Sequence, residues 1–311
     1  MHLRNVEVFC DIVACRSFSK AAELRGISQP AASHSVQQLE ERVGTTLIDR
    51  SQRPLRLTSA GEVYYDGCRK LLDDFRLVED RVRSLGGTIS GRVRMAAIYS
   101  VGLLQMSEYT QRMQAVNSAV EVQLDYVHPD EVYARVRGDE ADLGIVSFPR
   151  DGGDVTCIPW LEQEMGLVVS PGDALAGRES VELQAIAGKP FVGFTSDLTI
   201  RRETDRLLKR HRVSVRVVHE FDNIENIKRA VEIGAGAALL PLASVRRERE
   251  FGSLKAIPLA DVEFTRPLGI IHKRHKHLSA AAEQFVEVLH EDLGLDNSDT
   301  TLAPLPTSVS A

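Results

Sequence analysis

Apolar positions recur along the first ninety residues every three or four places, the spacing that lines one face of a helix. Leu3, Val6, Phe9, Cys10 and Val13 define a first amphipathic helix. Ser17 caps a second, which has Lys20 rather than an acid at the capping-box position and stops after Arg25 at Gly26. Ser28 caps a third; Pro30 falls in its first turn, where a missing N–H does no harm, and Val36 and Leu39 carry it to about Val43, before Gly44. Two short apolar–polar segments, 46–50 and 55–57, flank Ser51-Gln52-Arg53-Pro54 and predict a β-ribbon. Ser59-Ala60-Gly61-Glu62 reads as a capping box, and the helix it opens meets no proline before Gly86-Gly87, about 40 Å at 1.5 Å per residue. Within it Tyr64, Cys68, Leu71, Phe75, Val78, Val82 and Leu85 alternate at spacings of four and three. That is a heptad seam, and a helix so long leaving so small a domain has little else to pack on, so the seam predicts a homodimer.

Beyond the joint Gly86-Gly87-Thr88-Ile89-Ser90-Gly91 the pattern changes to alternating strands and helices. Strands are expected at 92–98, 120–126, 143–146, 165–170, 191–194, 213–220, 237–240 and 267–271, and helices at 101–115, 130–137, 199–211, 224–233 and 280–293. Such alternation predicts an α/β sheet fold. Its length suits two subdomains with a crevice between them, subdomain I about 91–160 and 265–295 and subdomain II about 161–264. The tail 296–311, rich in Ser, Thr and Pro, is expected to be disordered. The predicted division is therefore 1–58, a three-helix head with a ribbon; 59–87, a dimerising linker helix; and 91–295, an α/β body.

Composition narrows the class. Charged residues at 26% and apolar ones at 43% are ordinary for a globular protein, and no uncharged apolar run is long enough to cross a bilayer. Glu7 and Asp11 interrupt the opening segment, so no signal peptide is expected and the cytoplasm is the expected compartment. The net charge of −6 is unevenly spread: residues 1–58 hold eight Lys/Arg against six acids. A mildly basic head on an acidic body fits nucleic-acid binding by the head alone. Cys10, Cys15, Cys68 and Cys157 form no CxxC pair and read as buried thiols in a reducing compartment. No metal site and no cofactor is expected; the run His272-Lys273-Arg274-His275-Lys276-His277 reads as a solvated basic turn.

Two short helices around a glycine turn are the layout of a helix-turn-helix, whose second helix enters the DNA major groove by its N-terminal half. Here Ser28, Gln29, Pro30, Ser33, His34 and Gln37 supply that half, short or amide-bearing side chains able to reach base edges. Arg50, Arg53 and Arg56 on the ribbon are placed to meet phosphates. A dimer would set two such helices on a two-fold symmetric site in double-stranded DNA. In the body, ligands of open sheets bind where strands end and helices begin. Three junctions there carry small polar residues: Tyr99-Ser100, Thr195-Ser196-Asp197-Leu198-Thr199 and Asp222-Asn223. Helix starts suit an anion, and Arg201 could add a bidentate contact.

The head resembles the winged helix-turn-helix and linker of the LysR-type transcriptional regulators. The resemblance rests on Ser17-Phe18-Ser19-Lys20-Ala21-Ala22, Ser28-Gln29-Pro30-Ala31, Leu39-Glu40-Glu41-Arg42-Val43-Gly44, Leu47-Ile48-Asp49-Arg50 and Leu57-Thr58-Ser59-Ala60-Gly61, in that order and spacing. It departs on the reading helix, where Ala32 replaces the usual leucine and His34-Ser35 and Gln37 stand where arginine or glutamine is common. The body resembles the same family's effector domain, related in fold to periplasmic binding proteins, through Gly91-Arg92-Val93-Arg94, Gly138-Asp139-Glu140-Ala141-Asp142-Leu143 and Val231-Glu232-Ile233-Gly234-Ala235-Gly236. The resemblance implies a DNA-binding regulator switched by a small-molecule effector. Ser100, His128, Ser147, Thr195, Ser196 and Asn223 would then line the inducer cleft, with Thr199 and Arg201 beside them. It also implies tetramers built as dimers of dimers, with RNA polymerase a further candidate partner and no membrane role.

Rival classes fare worse. Gly234-Ala235-Gly236 precedes a strand, whereas a dinucleotide loop follows one, and no nucleophile elbow, Walker loop or HExxH occurs, so no enzyme is expected. A secreted solute-binding protein would need an export signal and no DNA-reading head. A coiled-coil scaffold would leave the α/β region unexplained.

Overall fold

The computed structural model describes residues 3–51, 55–85, 89–101, 103–291 and 300–302, in two units, Met1–Gly86 and Gly87–Ala311. The joint 86–88 lies outside the described residues.

In the first unit α1 (Leu3–Cys15), α2 (Phe18–Leu24) and α3 (Gln29–Val43) precede a two-stranded ribbon, β1 (Ile48–Asp49) and β2 (Arg56–Leu57), and then α4 (Ser59–Leu85). The caps are those the sequence signals: Ser17 Oγ accepts from the Lys20 N–H and Ser28 Oγ from the Ala31 N–H, both at 3.3 Å. Gly44 ends α3 at φ 70°, where a side chain would be strained. Val6, Phe9 and Ile12 of α1 are fully buried against Ala21, Ala22, Ala32, Val36 and Leu39, and Leu47 and Ile48 close the core. Arg25, just past α2, is tied back to α1 by Glu7 at 2.9 Å and by Asp11.

The start of α4 departs from the expected capping box. Thr58, one residue earlier than Ser59, supplies the cap: its Oγ1 accepts from the Gly61 N–H at 3.0 Å and donates to the Thr46 carbonyl at 2.7 Å. A contact with the ribbon therefore selects the capping residue. It also explains Gly61, where a Cβ would stand 1.9 Å from the Leu47 carbonyl oxygen.

The second unit contains β3 (Gly91–Ile98), a 3-10 turn Tyr99–Val101, α5 (Leu103–Val116), β4 (Val120–Val127), α6 (Pro129–Arg137), β5 (Leu143–Ser147) and β6 (Val155–Val169). It continues through β7 (Pro190–Phe194), α7 (Thr199–Arg210), β8 (Arg216–Phe221), α8 (Ile224–Glu232), β9 (Ala238–Pro241), α9 (Arg246–Phe251), β10 (Lys255–Ile257), β11 (Thr265–Lys273), α10 (Ala280–Glu291) and β12 (Thr300–Leu302). The strand order is β10-β6-β11-β5-β3-β4, with β9 and β12 also on β6; β7 and β8 pair separately. β3 runs parallel to β4 and β5, β7 parallel to β8, and β11 antiparallel to β5 and β6.

Two apolar cores result. One gathers Val93, Met95, Leu143, Ile145, Trp160, Ile270 and Phe285, and here Trp160 Nε1 donates to the Leu289 carbonyl at 2.8 Å and meets Tyr109 edge-on. The other gathers Leu167, Val192, Leu207, Ile227, Leu240 and Ile257. β6 serves both, with Val155 and Trp160 in the first core and Met165 and Leu167 in the second. Only its second half was expected, because Pro159, Glu162, Gln163 and Glu164 break the apolar run, whereas pairing with nine residues of β11 makes it a strand. α9 buries no residue, so no apolar period announced it. The expected disordered tail is corrected at one point: Thr300–Leu302 pair with Leu161, Glu162 and Gln163. Residues 296–299 and 303–311 lie outside the described residues.

Candidate DNA-reading face and ligand cleft

On α3 the apolar row Ala32, Val36 and Leu39 points inward, and Ser28, Gln29, Pro30, His34 and Gln37 are exposed, with Ser33 half-buried. Ala32 therefore belongs to the core. Gln37 donates along the helix to Glu41 at 2.9 Å, and Gln38 accepts from Asn5 at 2.8 Å.

The ribbon is locked to α3 by Glu40, a residue whose role the sequence did not reveal. Its Oε1 accepts the Leu47 and Ile48 N–H groups at 2.8 and 3.2 Å, and its Oε2 accepts from Arg50 at 3.2 Å. Arg50 also lies over the Phe18 ring, 5.4 Å from its centroid, and donates to Ser33 at 3.4 Å. The guanidinium expected on a phosphate is thus engaged by the chain itself. Arg56 stays exposed on β2, opposite Asp49. Arg53 lies outside the described residues.

The heptad seam divides. Tyr64 packs edge-on against Phe9 at 5.6 Å, and Cys68 is buried in the same core, so these two positions serve the chain's own head. Leu71, Phe75, Val78 and Val82 are exposed, by 43% to 63%, a continuous apolar stripe open to a partner. The Leu85 side chain lies outside the described residues. Burial pushes the Cys10 thiol up to about 12 and the Cys157 thiol up to about 11, which makes both poor nucleophiles at neutral pH.

In the second unit the carboxyl ends of two parallel groups of strands face each other. Ile98 is in register with Val127, and Phe194 with Phe221, so Ser100 and His128 follow one edge and Thr195 and Asn223 the other. Across them His128 Nε2 lies 3.1 Å from Asp197 Oδ2. His128 Nδ1 accepts the Asp130 N–H at 3.4 Å as the cap of α6. The Thr195 hydroxyl and His128 hold the Asp197 carboxyl below its ordinary range. Asn223 caps α8, accepting from the Asn226 N–H at 2.9 Å. Ser147 ends β5, half-buried, and Ser196 is exposed.

Two expectations for this edge change. The residue before α7 is Leu198, which makes no side-chain cap bond, so the 195–199 loop does not cap the helix; Thr199 accepts from Arg202 at 2.8 Å instead. Arg201 turns away from the helix start: its Nε donates to Asp205 at 2.9 Å, and its Nη1 donates to Glu220 and to the Phe194 carbonyl at 2.6 Å. The segment 272–277 is likewise not a free solvated turn. Lys273 and Lys276 pair with Asp139, Lys276 also meets Asp142, and Arg274 donates to Asp151 and to the Gly153 and Val155 carbonyls. Among the described residues no cluster of His, Cys, Asp or Glu could hold a metal ion, and no helix is long and apolar enough to cross a membrane.

The residue that sequence reading missed is Arg266, on β11 where the strand passes from one core to the other. It is 0% exposed, and its Nε and Nη2 donate to Gln163 Oε1 on β6, the former at 3.0 Å. Its Nη1 donates to Ser100 Oγ at 2.8 Å and Nη2 to the Ser100 carbonyl at 3.2 Å. The only sequence signal was an arginine beside an apolar run, and the expected strand began one residue after it.

Both units resemble known proteins. Residues 3–62 match the model described as a bacterial regulatory helix-turn-helix protein of the lysR family, and residues 86–294 that of the LysR substrate binding domain. A probable RuBisCO transcriptional regulator of Synechocystis sp. is 28% identical over 289 residues, covering 88% of this chain and 81% of its own. The full-length CbnR structure in complex with its target DNA has a TM-score of 0.66 at 18% identity, covering 94% of this chain and 99% of that one. The Synechocystis CcmR regulatory domain in complex with 2-PG has a TM-score of 0.59 at 24% identity, over 65% of this chain and 97% of that one.

Proposed function

Because the chain belongs to the LysR family of transcriptional regulators, with a helix-turn-helix head and an effector-binding domain, we propose that it reads its operator with α3 and answers to a small molecule held between the facing strand ends. The observation that carries the DNA-binding part is the outward row Ser28, Gln29, Pro30, His34 and Gln37 on a helix whose buried residues, Ala32, Val36 and Leu39, are all apolar. Short polar side chains let the backbone approach base edges closely, and Gln29 and Gln37 can pair with adenine. Ser33 and the ribbon residues Arg53 and Arg56 would complete the contact, with Arg50 holding the ribbon at the height of the groove.

The protein acts as a homo-oligomer in this reading. Leu71, Phe75, Val78 and Val82 are too apolar a stripe to remain in water on a long helix, and a second copy of α4 matches it. A two-fold dimer would place two α3 helices on one palindromic site, and tetramers would pair two such dimers. RNA polymerase is the further partner through which a bound regulator would act. A protein whose ligand is the operator works in the cytoplasm, as a regulator rather than an enzyme.

The effector would lie among Ser100, His128, Ser147, Thr195, Ser196, Thr199 and Asn223, where helix starts and strand ends present donors to a small anion. Arg201 could join only by giving up Asp205 or Glu220. Footprinting of the full chain on its own promoter fragments, with and without small metabolites, tests the whole reading. A salt-sensitive palindromic footprint that one metabolite alters is the expected result. Absence of any specific footprint would retire it.

A further inference from the structure

We propose that the second unit carries a DNA contact of its own: an exposed basic strip along α7 and into β8 that takes the sugar-phosphate backbone of a duplex without regard to sequence. This surface is separate from the reading helix α3 and from the ligand cleft.

The first observation is the distribution of charge. In a chain of net charge −6, residues 201–216 hold seven Lys/Arg against two acids. Arg202, Arg206, Lys209 and Arg210 follow one another at spacings of four, three and one, so they share one face of α7, opposite the buried row Ile200, Thr204, Leu207 and Leu208. The second observation is the want of counter-charges. Arg201 is held by Asp205 and Glu220, and Arg206 by Glu203, which uses both acids of the segment. Arg202 donates to neutral groups, the Asp197 carbonyl and the Thr199 hydroxyl. Lys209, Arg210, Arg212 and Arg216 are all exposed and, among the described residues, have no ion-pair partner.

The backbone supplies the third observation. Arg212 sits at φ 57°, in the left-handed region where α2, α3 and α9 end on Gly26, Gly44 and Gly252. As at Arg16 and Asp139, a charged side chain is kept there against the strain. Asp139 uses its charge to hold Lys273 and Lys276, whereas Arg212 offers its own to solvent. The helix dipole accounts for cations in the last turn, Lys209 and Arg210, but not for Arg212 beyond the helix or Arg216 on β8.

Placement and shape indicate what binds. The Gly188 N–H donates to the Ser214 carbonyl at 2.7 Å and the Arg216 N–H to the Lys189 carbonyl at 3.0 Å, which fixes the turn at the N-terminal ends of β7 and β8. The cleft uses their other ends, at Phe194 and Phe221. A convex ridge about 18 Å long encloses no small anion, but it meets a series of charges such as a duplex presents roughly every 1.7 Å of its axis. Arginine forks suit phosphate oxygens. The helix-turn-helix head delivers duplex DNA to the same chain, and tethering raises the local concentration of phosphate, so weak contacts suffice.

Fluorescence anisotropy of the full chain on a mixed-sequence duplex, over a range of salt, is the test. Lys209→Gln, Arg210→Gln, Arg212→Gln and Arg216→Gln combined should weaken binding about tenfold or more at low salt and lower the salt slope by about one unit for each cation in contact. Arg178→Gln, Arg246→Gln, Arg247→Gln and Lys255→Gln combined removes the same charge from exposed positions elsewhere in the second unit and should leave the slope at its wild-type value. Near-ultraviolet circular dichroism checks that both are folded. Arg212→Gly relieves the strained φ, so it should melt no lower than wild type and still lose about one slope unit, which keeps the proposal testable if the four-site variant does not fold. An unchanged slope in the strip variants would overturn the proposal, as would an equal fall in the control. Sedimentation showing a lower mass for the four-site variant, with duplex binding unchanged, would assign the strip to an acidic surface of a second copy and overturn it too. A mixed-sequence duplex holds no operator, so the outcome is independent of whether α3 reads one.

Discussion

His128 and Asp197 stand 3.1 Å apart, one at the end of β4 and the other in the loop between β7 and α7, and join the two facing edges of the second unit. The Asp130 N–H donates to His128 Nδ1, and the other ring nitrogen, Nε2, faces the Asp197 carboxylate. Cap and clasp use opposite nitrogens of one ring. His128→Asn should separate them, because an asparagine oxygen can still cap α6 and the shorter side chain falls short of Asp197. Backbone amides of residues 195–198 should then exchange about fivefold faster, the equivalent of ~1 kcal/mol. Hydrogen-exchange mass spectrometry reads this directly, and unchanged rates would remove the clasp from the account.

Glu40 holds the ribbon by two backbone N–H groups and Arg50. Glu40→Ala leaves those donors unpaired at a half-buried site and should cost about 1–3 kcal/mol in stability. Operator affinity should fall further than α3 helicity does, since the reading helix stays and the ribbon is released. Thermal melts followed by gel-shift titration separate the two effects.

Arg56 and Gln29 should differ in kind. Arg56→Ala should weaken binding to all DNA alike and lower the salt slope by about one unit, as loss of one phosphate contact does. Gln29→Ala should cost about 1–3 kcal/mol on the operator alone. Fluorescence anisotropy on operator and scrambled duplexes, over a range of salt, distinguishes them.

Phe75→Glu puts a charge in the exposed stripe of α4, between Leu71 and Val78. The variant should sediment as a species of lower order than wild type, with an unchanged head, since Phe75 lies outside the Phe9–Tyr64–Cys68 core. Sedimentation equilibrium yielding the wild-type mass would show that the stripe is not the interface.

Asp142 provides a pH signature. Burial alone would raise its carboxyl, but Arg94, through two side-chain bonds and its backbone N–H, holds it below the ordinary value of 3.8. A depressed carboxylate stabilises the fold above that ordinary value and loses its contribution as pH falls through the lowered one. Asp142→Asn should therefore lower the melting temperature at pH 7, by about 1–3 kcal/mol in stability. Melts repeated downward from pH 7 should show the difference narrowing below pH 3.8 and vanishing on further acidification. A constant gap across that range would assign the effect to packing instead.

Sequence alone determined most of the head. Ser17, Gly26, Ser28 and Gly44 mark helix ends through bonds to residues within four places, Pro30 marks one by having no N–H to pair, and the row Ala32, Val36, Leu39 follows from helical period. Such signals are local, so one strand of text carries them, and the family resemblance is densest where they are. The partners of charged side chains are a different matter. Arg201, Arg50 and Lys276 were legible as cations, and only the fold decided that Glu220, Glu40 and Asp139 would claim them. Thr58 took the cap of α4 from Ser59 because the ribbon passes beside it. Arg266 meets Ser100 across 166 positions, and its burial comes from strands that pair along β6 and β11. A sequence fixes what each side chain can donate, accept or bury through its own covalent structure and nearest neighbours. Which distant group it meets depends on chain closure, and that is settled only when the sheet has formed.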